Sequence, residues 1–151
     1  MGTSNILQAI SSLGKECHVK KIVLSSSRSV YGEGKYICAN CGIVFPDSRK
    51  KEKMQNGDFG MYCPKCGKKL TLTKTTEDST IKPVSLYAFT KYTQEMMLRT
   101  MCPALNVDYT IFRFQNVYGV GQSLKNPYTG ILSIFSSLML EINLSMCSKM
   151  A

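Results

Sequence analysis

Two cysteine pairs and one tyrosine–lysine pair are the residues in this sequence whose types and spacing could do chemistry. Cys38-Ala39-Asn40-Cys41-Gly42 is followed by Cys63-Pro64-Lys65-Cys66-Gly67, with 21 residues between Cys41 and Cys63. Each Cys-x-x-Cys-Gly predicts a tight knuckle that points two sulfurs at one place. Four thiolates supply a closed tetrahedral zinc site. A closed four-sulfur set leaves no open coordination position, so Cys38, Cys41, Cys63 and Cys66 are expected to hold a structural zinc rather than a catalytic one. Cys17, Cys102 and Cys147 lack partner spacing and read as ordinary thiols. His18 stands alone beside a strand start and is not expected to be catalytic.

Tyr87-Ala88-Phe89-Thr90-Lys91 sets a phenol and an ammonium at i and i+4, which on a helix share one face. An ammonium beside a phenol favours the phenolate, which can serve as a general base. Alone this pair is a weak signal, since exposed helical pairs are common. Two further stretches give it context. Val23-Leu24-Ser25-Ser26-Ser27-Arg28-Ser29-Val30-Tyr31-Gly32 reads as a buried strand ending in a serine cluster. Ligands of open α/β sheets bind beyond the carboxyl ends of strands. Phe112-Arg113-Phe114-Gln115-Asn116-Val117-Tyr118-Gly119 leaves a second strand for a loop at that same edge.

The elements that must position these residues follow from periodicity. Ile6, Leu7, Ile10 and Leu13 have helical spacing over 3–14, and Gly14 suits a helix stop. Residues 19–26 read as a strand, and 27–34 as a loop. A helix is predicted over 84–101, behind Pro83, with Ser85 as its cap and Pro103 just past its end. Residues 107–114 alternate as a strand, 116–126 form a loop, and a last helix is predicted over 128–140. The order helix, strand, insert, helix, strand, helix implies parallel strands. The resulting organisation is α/β: a partial Rossmann-like, doubly wound parallel sheet in two parts, 1–33 and 75–140, with a zinc ribbon inserted at 34–74 and an unassigned tail at 141–151.

Composition bounds the alternatives. The chain has 151 residues, 44% hydrophobic and 19% charged, with a net charge of +9. That profile is globular. Nine basic and three acidic residues fall within 34–74, so +6 of the excess sits in the insert. Four bound thiolates and one zinc ion would lower this to about +4. Arg49, Lys50, Lys51 and Lys53 cluster between the knuckles. They read as a solvated loop tip, since no aromatic platform interleaves them. An alternative is a zinc-ribbon binding module whose basic loop contacts nucleic acid or a protein partner. The apolar stretch 131–142 is too short and too interrupted to span a bilayer, so no membrane association is expected. Met1-Gly2 lacks Ser or Thr at the sixth position, where Ile6 stands, which excludes the myristoylation motif. Seven cysteines without a signal peptide point to a reducing, cytoplasmic setting.

Four stretches in this order resemble the extended short-chain dehydrogenase/reductase family, the NAD-dependent nucleotide-sugar epimerases and dehydratases. They are Gly2-Thr3-Ser4-Asn5-Ile6-Leu7, the serine-rich strand end through Val30-Tyr31-Gly32, Tyr87-x-x-x-Lys91, and Arg113-Phe114-x-Asn116-Val117-Tyr118-Gly119-x-Gly121-Gln122. The insert resembles the zinc ribbon of a subset of these enzymes, as does Asn126-Pro127-Tyr128-Thr129-Gly130-Ile131. The resemblance implies that Ser27, Tyr87 and Lys91 are catalytic. Tyr87, Lys91 and Gln115 would meet the NAD cofactor, and Ser27, Ser29 and Asn116 a nucleotide-diphosphate sugar. In the implied reaction Tyr87 deprotonates a sugar hydroxyl while hydride passes to NAD. The keto sugar then rotates and takes hydride back on its other face. Epimerase is preferred over dehydratase, because dehydratases of the family carry Asp-Glu where Arg28 and Ser29 stand. A homodimer is implied for the full-length enzyme, through the helices at 3–14 and 84–101, and nucleic acid is not an expected partner.

The sequence departs from the family at its Gly-x-x-Gly-x-x-Gly pyrophosphate turn, which nothing here matches. Residues 141–151 also match nothing in the pattern. The chain is therefore expected to be the middle of an epimerase, with the catalytic residues but without most of the cofactor site, and to be inactive alone.

Overall fold

The computed structural model describes residues 2–123 and 131–149. The chain divides into two compact units after Arg113.

In the first unit, α1 (Gly2–Leu13) lies against α3 (Leu86–Ala104), and α3 packs on β1 (Lys21–Ser27). β1 pairs in parallel with β5 (Asp108–Phe114). Leu7, Leu98 and Cys102 are buried between these elements, with Ile22, Leu24, Met97, Met101, Leu105, Tyr109 and Ile111 packed around them. The pleat explains the pattern: Ile22 and Leu24 on β1, and Tyr109 and Ile111 on β5, are each two apart and so face the helices. The intervening positions face away, and Val23 and Phe112 stay 59% and 48% exposed. β1 is thus half-buried rather than the buried strand the sequence predicts, because the described helices of this unit cover only one face of the pair. In α1 likewise, Leu7 and Ile10 are buried whereas Ile6 and Leu13 are exposed.

Ser85 caps α3 as expected, its side chain accepting from the Ala88 N–H at 3.1 Å. Pro103 does not end the helix. It lies inside the last turn, and the helix closes beyond it, with Asn106 at φ 57°. Val107 N bonds Cys102 O at 3.0 Å, and Asn106 N bonds Pro103 O at 3.3 Å, which is a Schellman closure. Pro103 has no N–H to donate to the Arg99 carbonyl, and the turn around it is closed by these two backbone bonds instead.

The insert forms its own small sheet. β2 (Tyr36–Cys38) pairs antiparallel with β3 (Gly42–Val44) and with β4 (Thr71–Leu72), and α2 (Lys51–Gln55) fills the loop between knuckles. Tyr36, Cys38, Val44, Met61, Cys63 and Leu70 make a separate buried core. The neck is pinned: Thr73 N bonds Lys35 O at 3.1 Å and Lys35 N bonds the Thr75 hydroxyl at 3.2 Å. Past the neck, Lys82 Nζ reaches the Phe45 carbonyl at 3.1 Å and the Asp47 carboxylate at 2.7 Å. Lys82 N bonds Val30 O at 2.9 Å, bringing this return arm against the turn after β1. Gly32 permits that approach, since at φ 62° an added Cβ would stand 2.5 Å from the Lys82 carbonyl oxygen.

In the second unit a loop follows β5, and α4 spans Ile131–Lys149. The helix predicted over 128–140 therefore continues through 141–149, which the sequence leaves unassigned. The start of that prediction, and Asn126 to Gly130, lie outside the described residues. Among the described residues no helix is long and apolar enough to cross a membrane.

Candidate functional site

The strand–helix packing of the first unit brings the serine cluster and the tyrosine–lysine face together. At the carboxyl end of β1 the chain enters a 3₁₀ turn, Arg28–Tyr31, capped by Ser27. The Ser27 hydroxyl accepts from Ser29 N at 3.2 Å and from the Ser29 hydroxyl at 2.9 Å. Ser27 and Ser29 are half-buried. On α3, Tyr87 and Lys91 lie one turn apart, with Lys91 Nζ 5.8 Å from the centre of the Tyr87 ring. Lys91 Nζ donates to the Ser25 carbonyl at 2.7 Å. That bond docks the tyrosine face of α3 at the end of the strand bearing Ser27. Tyr87 is 55% exposed, open to a ligand. Gln115 and Asn116 are exposed residues of the loop after β5, in the second unit.

Beneath this edge lies a polar network that sequence reasoning missed. Glu95 is fully buried on α3. It accepts from the Ser26 hydroxyl, from Arg113 Nε at 3.1 and 3.2 Å, and from Arg113 Nη2 at 2.7 Å. Arg113 Nη1 donates to the Tyr31 hydroxyl and, at 2.9 Å, to the Glu77 carbonyl. Its guanidinium also lies 4.8 Å from the Tyr31 ring centre. Burial opposes the charge on Glu95, but the bonds from Arg113 and Ser26 outweigh it and hold the carboxyl below its ordinary range. The bond to Glu95 correspondingly raises Arg113 further. The signal in sequence was Glu95 falling on the stripe Ala88, Glu95, Leu98, Cys102, where apolar residues belong.

The four cysteines converge as their spacing predicts. Their sulfurs all lie within 4.8 Å of one another, and Cys38 and Cys66 Sγ are 3.4 Å apart. A tetrahedral zinc with bonds of 2.3 Å needs sulfurs about 3.8 Å apart, so the set fits. The second knuckle is closed by Gly67 N to Cys63 O at 2.9 Å and Cys63 N to Lys68 O at 2.8 Å. The backbone bond from Asn40 draws Cys38 down to about 7, while the Cys66 side chain and burial push Cys41 up to about 12. Sulfurs this close cannot all ionise without a cation, and a dication would take all four as thiolates.

The basic loop beside this cluster is largely engaged with its own surroundings. Arg49 pairs with Glu33 at 2.8 Å and bonds the Phe59 carbonyl at 3.0 Å. Lys53 lies 3.6 Å above the Tyr62 ring and 3.9 Å from Asp58. Lys50 and Lys51 are exposed.

Residues 60–147 match the family model described as the NAD dependent epimerase/dehydratase family. The dTDP-L-rhamnose 4-epimerase of Burkholderia thailandensis is 38% identical over 142 residues, covering 93% of this chain and 37% of that protein. A protein of Methanocaldococcus jannaschii named "Putative UDP-glucose 4-epimerase" is 27% identical over 142 residues, covering 93% of this chain and 33% of its own length. The chain thus spans about a third of the length of the curated relatives it matches. No solved structure matches it significantly.

Proposed function

The chain belongs to the NAD dependent epimerase/dehydratase family, and from that premise we propose that it carries the catalytic segment of a nucleotide-sugar epimerase. Tyr87 is the general base, Lys91 its cationic neighbour, and Ser27 the hydroxyl that bonds the reacting sugar oxygen. The observation that carries the reading is the Lys91 bond to the Ser25 carbonyl, which sets the open Tyr87 face at the strand end bearing Ser27. Both matched relatives bear the name of a 4-epimerase, which supports a nucleotide-diphosphate sugar as substrate.

The residues present fit one end of NAD. Tyr87 and Lys91 offer a phenol and an ammonium to the nicotinamide ribose, and Lys91 spends one of three N–H donors on Ser25. Gln115 and Asn116 supply further contacts to cofactor and sugar in this reading, and Ser29 bonds and orients Ser27. NAD, when bound, would supply the hydride acceptor for the sugar carbon and the donor that restores it. The chain's own residues remove the hydroxyl proton to Tyr87, hold the developing oxyanion at Ser27, and give the proton back. No Gly-x-x-Gly-x-x-Gly cradle stands within these 151 residues.

Zinc held by Cys38, Cys41, Cys63 and Cys66 is structural, since the closed sulfur set crosslinks two knuckles and offers no site for substrate. The ion pairs of Arg49 and Lys53 favour a bracing role for the basic loop over contact with nucleic acid. Exposed apolar side chains on α1 and α3, Ile6, Leu13, Phe89 and Met96, are consistent with a two-fold homodimer of the full-length enzyme through these helices. A reducing, cytoplasmic location fits thiolate ligation. The test is an epimerase assay on a full-length enzyme containing these residues. Tyr87→Phe should remove nearly all turnover while substrate binding persists, and full turnover in that variant would overturn the assignment.

A further inference from the structure

We propose that Glu95 is the positioning residue of this site: acting through Ser26, it fixes the register of α3 on β1 that holds Tyr87 and Lys91 at the end of the strand carrying Ser27. The proposal rests on the catalytic reading of Tyr87, Lys91 and Ser27.

Positions 87, 91 and 95 follow one another at single-turn intervals, so Glu95 continues the tyrosine–lysine face into the core. Two consecutive serines of β1 bind two consecutive members of that face. The Ser25 carbonyl receives Lys91, and the Ser26 hydroxyl donates to Glu95. A slide of α3 by one turn would break both bonds together. Apolar packing at Met97 and Met101 constrains such a slide only weakly, since unbranched thioether side chains tolerate displacement.

Glu95 is itself held against rotation. Arg113 grips both carboxylate oxygens with Nε and Nη2, and its Nη1 is fixed by the Tyr31 hydroxyl and the Glu77 carbonyl. Ser26 and Arg113 occupy the inward positions that follow Ile22 and Leu24 on β1, and Tyr109 and Ile111 on β5. A well-packed apolar trio there would serve stability as well, because desolvation consumes most of what a buried ion pair gains. What the charged trio adds is direction: three donors converge on one carboxylate at defined angles.

The experiment uses the 151-residue chain with labelled lysine and tyrosine, followed by NMR. Ser26→Ala removes the helix-to-strand bond and leaves the ion pair. The Lys91 ammonium hydrogens should then exchange roughly tenfold faster, and the Tyr87 ring signals should shift. Signals from Tyr36 and Tyr62 in the insert should stay in place. Ser26→Thr, which restores a hydroxyl, should restore slow exchange. Glu95→Leu, which leaves the Ser26 hydroxyl without its acceptor, should act as Ser26→Ala does. Unchanged Lys91 exchange and Tyr87 signals in folded Ser26→Ala would overturn the proposal, whatever Glu95→Leu does to folding. Survival of turnover in Tyr87→Phe would instead remove the catalytic reading and leave the register measurement standing.

Discussion

Gly32 and Lys82 meet backbone to backbone: a Cβ on residue 32 would stand 2.5 Å from the Lys82 carbonyl oxygen, and φ at Gly32 is 62°. The turn that follows the serine cluster and the arm that leads into α3 are thus in direct contact. Gly32→Ala should destabilise the chain by about 2 kcal/mol, from a strained backbone and a displaced carbonyl. Denaturant unfolding checks the loss, and an unchanged midpoint would mean that the arm yields without cost.

Purified chain should hold one zinc through Cys38, Cys41, Cys63 and Cys66. Elemental analysis after expression in zinc-replete medium measures it, and absence of zinc would refute the site. Cys63→Ser should abolish the metal and unfold the insert core of Tyr36, Val44, Met61 and Leu70. The pairing of β1 with β5 should persist, because Leu98 and its neighbours form a separate core. Hydrogen exchange resolved by segment distinguishes the two regions.

Arg113→Met should cost about 3–5 kcal/mol, because it strands the Glu95 carboxylate without a countercharge. Adding Glu95→Leu should recover most of that loss. Urea unfolding of the single and double variants measures both steps.

The same pair makes stability depend on pH. Folding holds Glu95 below its ordinary value of 4.5, so its contribution is complete above that value and fades as pH falls through the folded value. Stability of the wild-type chain should hold from neutral pH down to about 4.5 and fall as pH drops further. In Arg113→Met the sign reverses at this residue: an unpaired buried carboxyl favours its proton, so acid should restore part of the lost stability.

The 151-residue chain should bind NAD weakly or not at all and turn over no nucleotide sugar. Tyr87 and Lys91 reach only the nicotinamide ribose in the proposed reading, while a dinucleotide is anchored by its pyrophosphate on a glycine-rich turn and helix N-terminus. The positioning lost with that anchor is worth several kcal/mol. Calorimetry is the measurement, and micromolar binding would contradict the expectation.

The metal cluster was legible in sequence because Cys-x-x-Cys-Gly is a local motif whose geometry needs no distant partner. Tyr87 and Lys91 were legible for the same reason, since one helical turn fixes their relation. Glu95 was not: a glutamate on a helix reads as solvated until tertiary packing sets Arg113 and Ser26 against it. Pro103 misled because proline usually marks a helix end, and the closure at Asn106 depends on two backbone bonds formed only after the turn is made. The half-open face of β1 was hidden because its run of apolar residues resembles a strand covered on both sides.

The pinned neck of the insert has a consequence for how the chain folds. Lys35 and Thr75 are 40 residues apart and bonded, so the insert is a closed loop on the crossover from β1 to α3. Ordering a flexible loop of that length costs about 3 kcal/mol of chain entropy. The cysteine knuckles, once crosslinked by metal, shorten the free path between β1 and β5, whose parallel pairing is non-local and therefore slow without that shortcut. Metal capture thereby becomes a kinetic matter: zinc supplied during refolding should speed the pairing of two strands that it never touches.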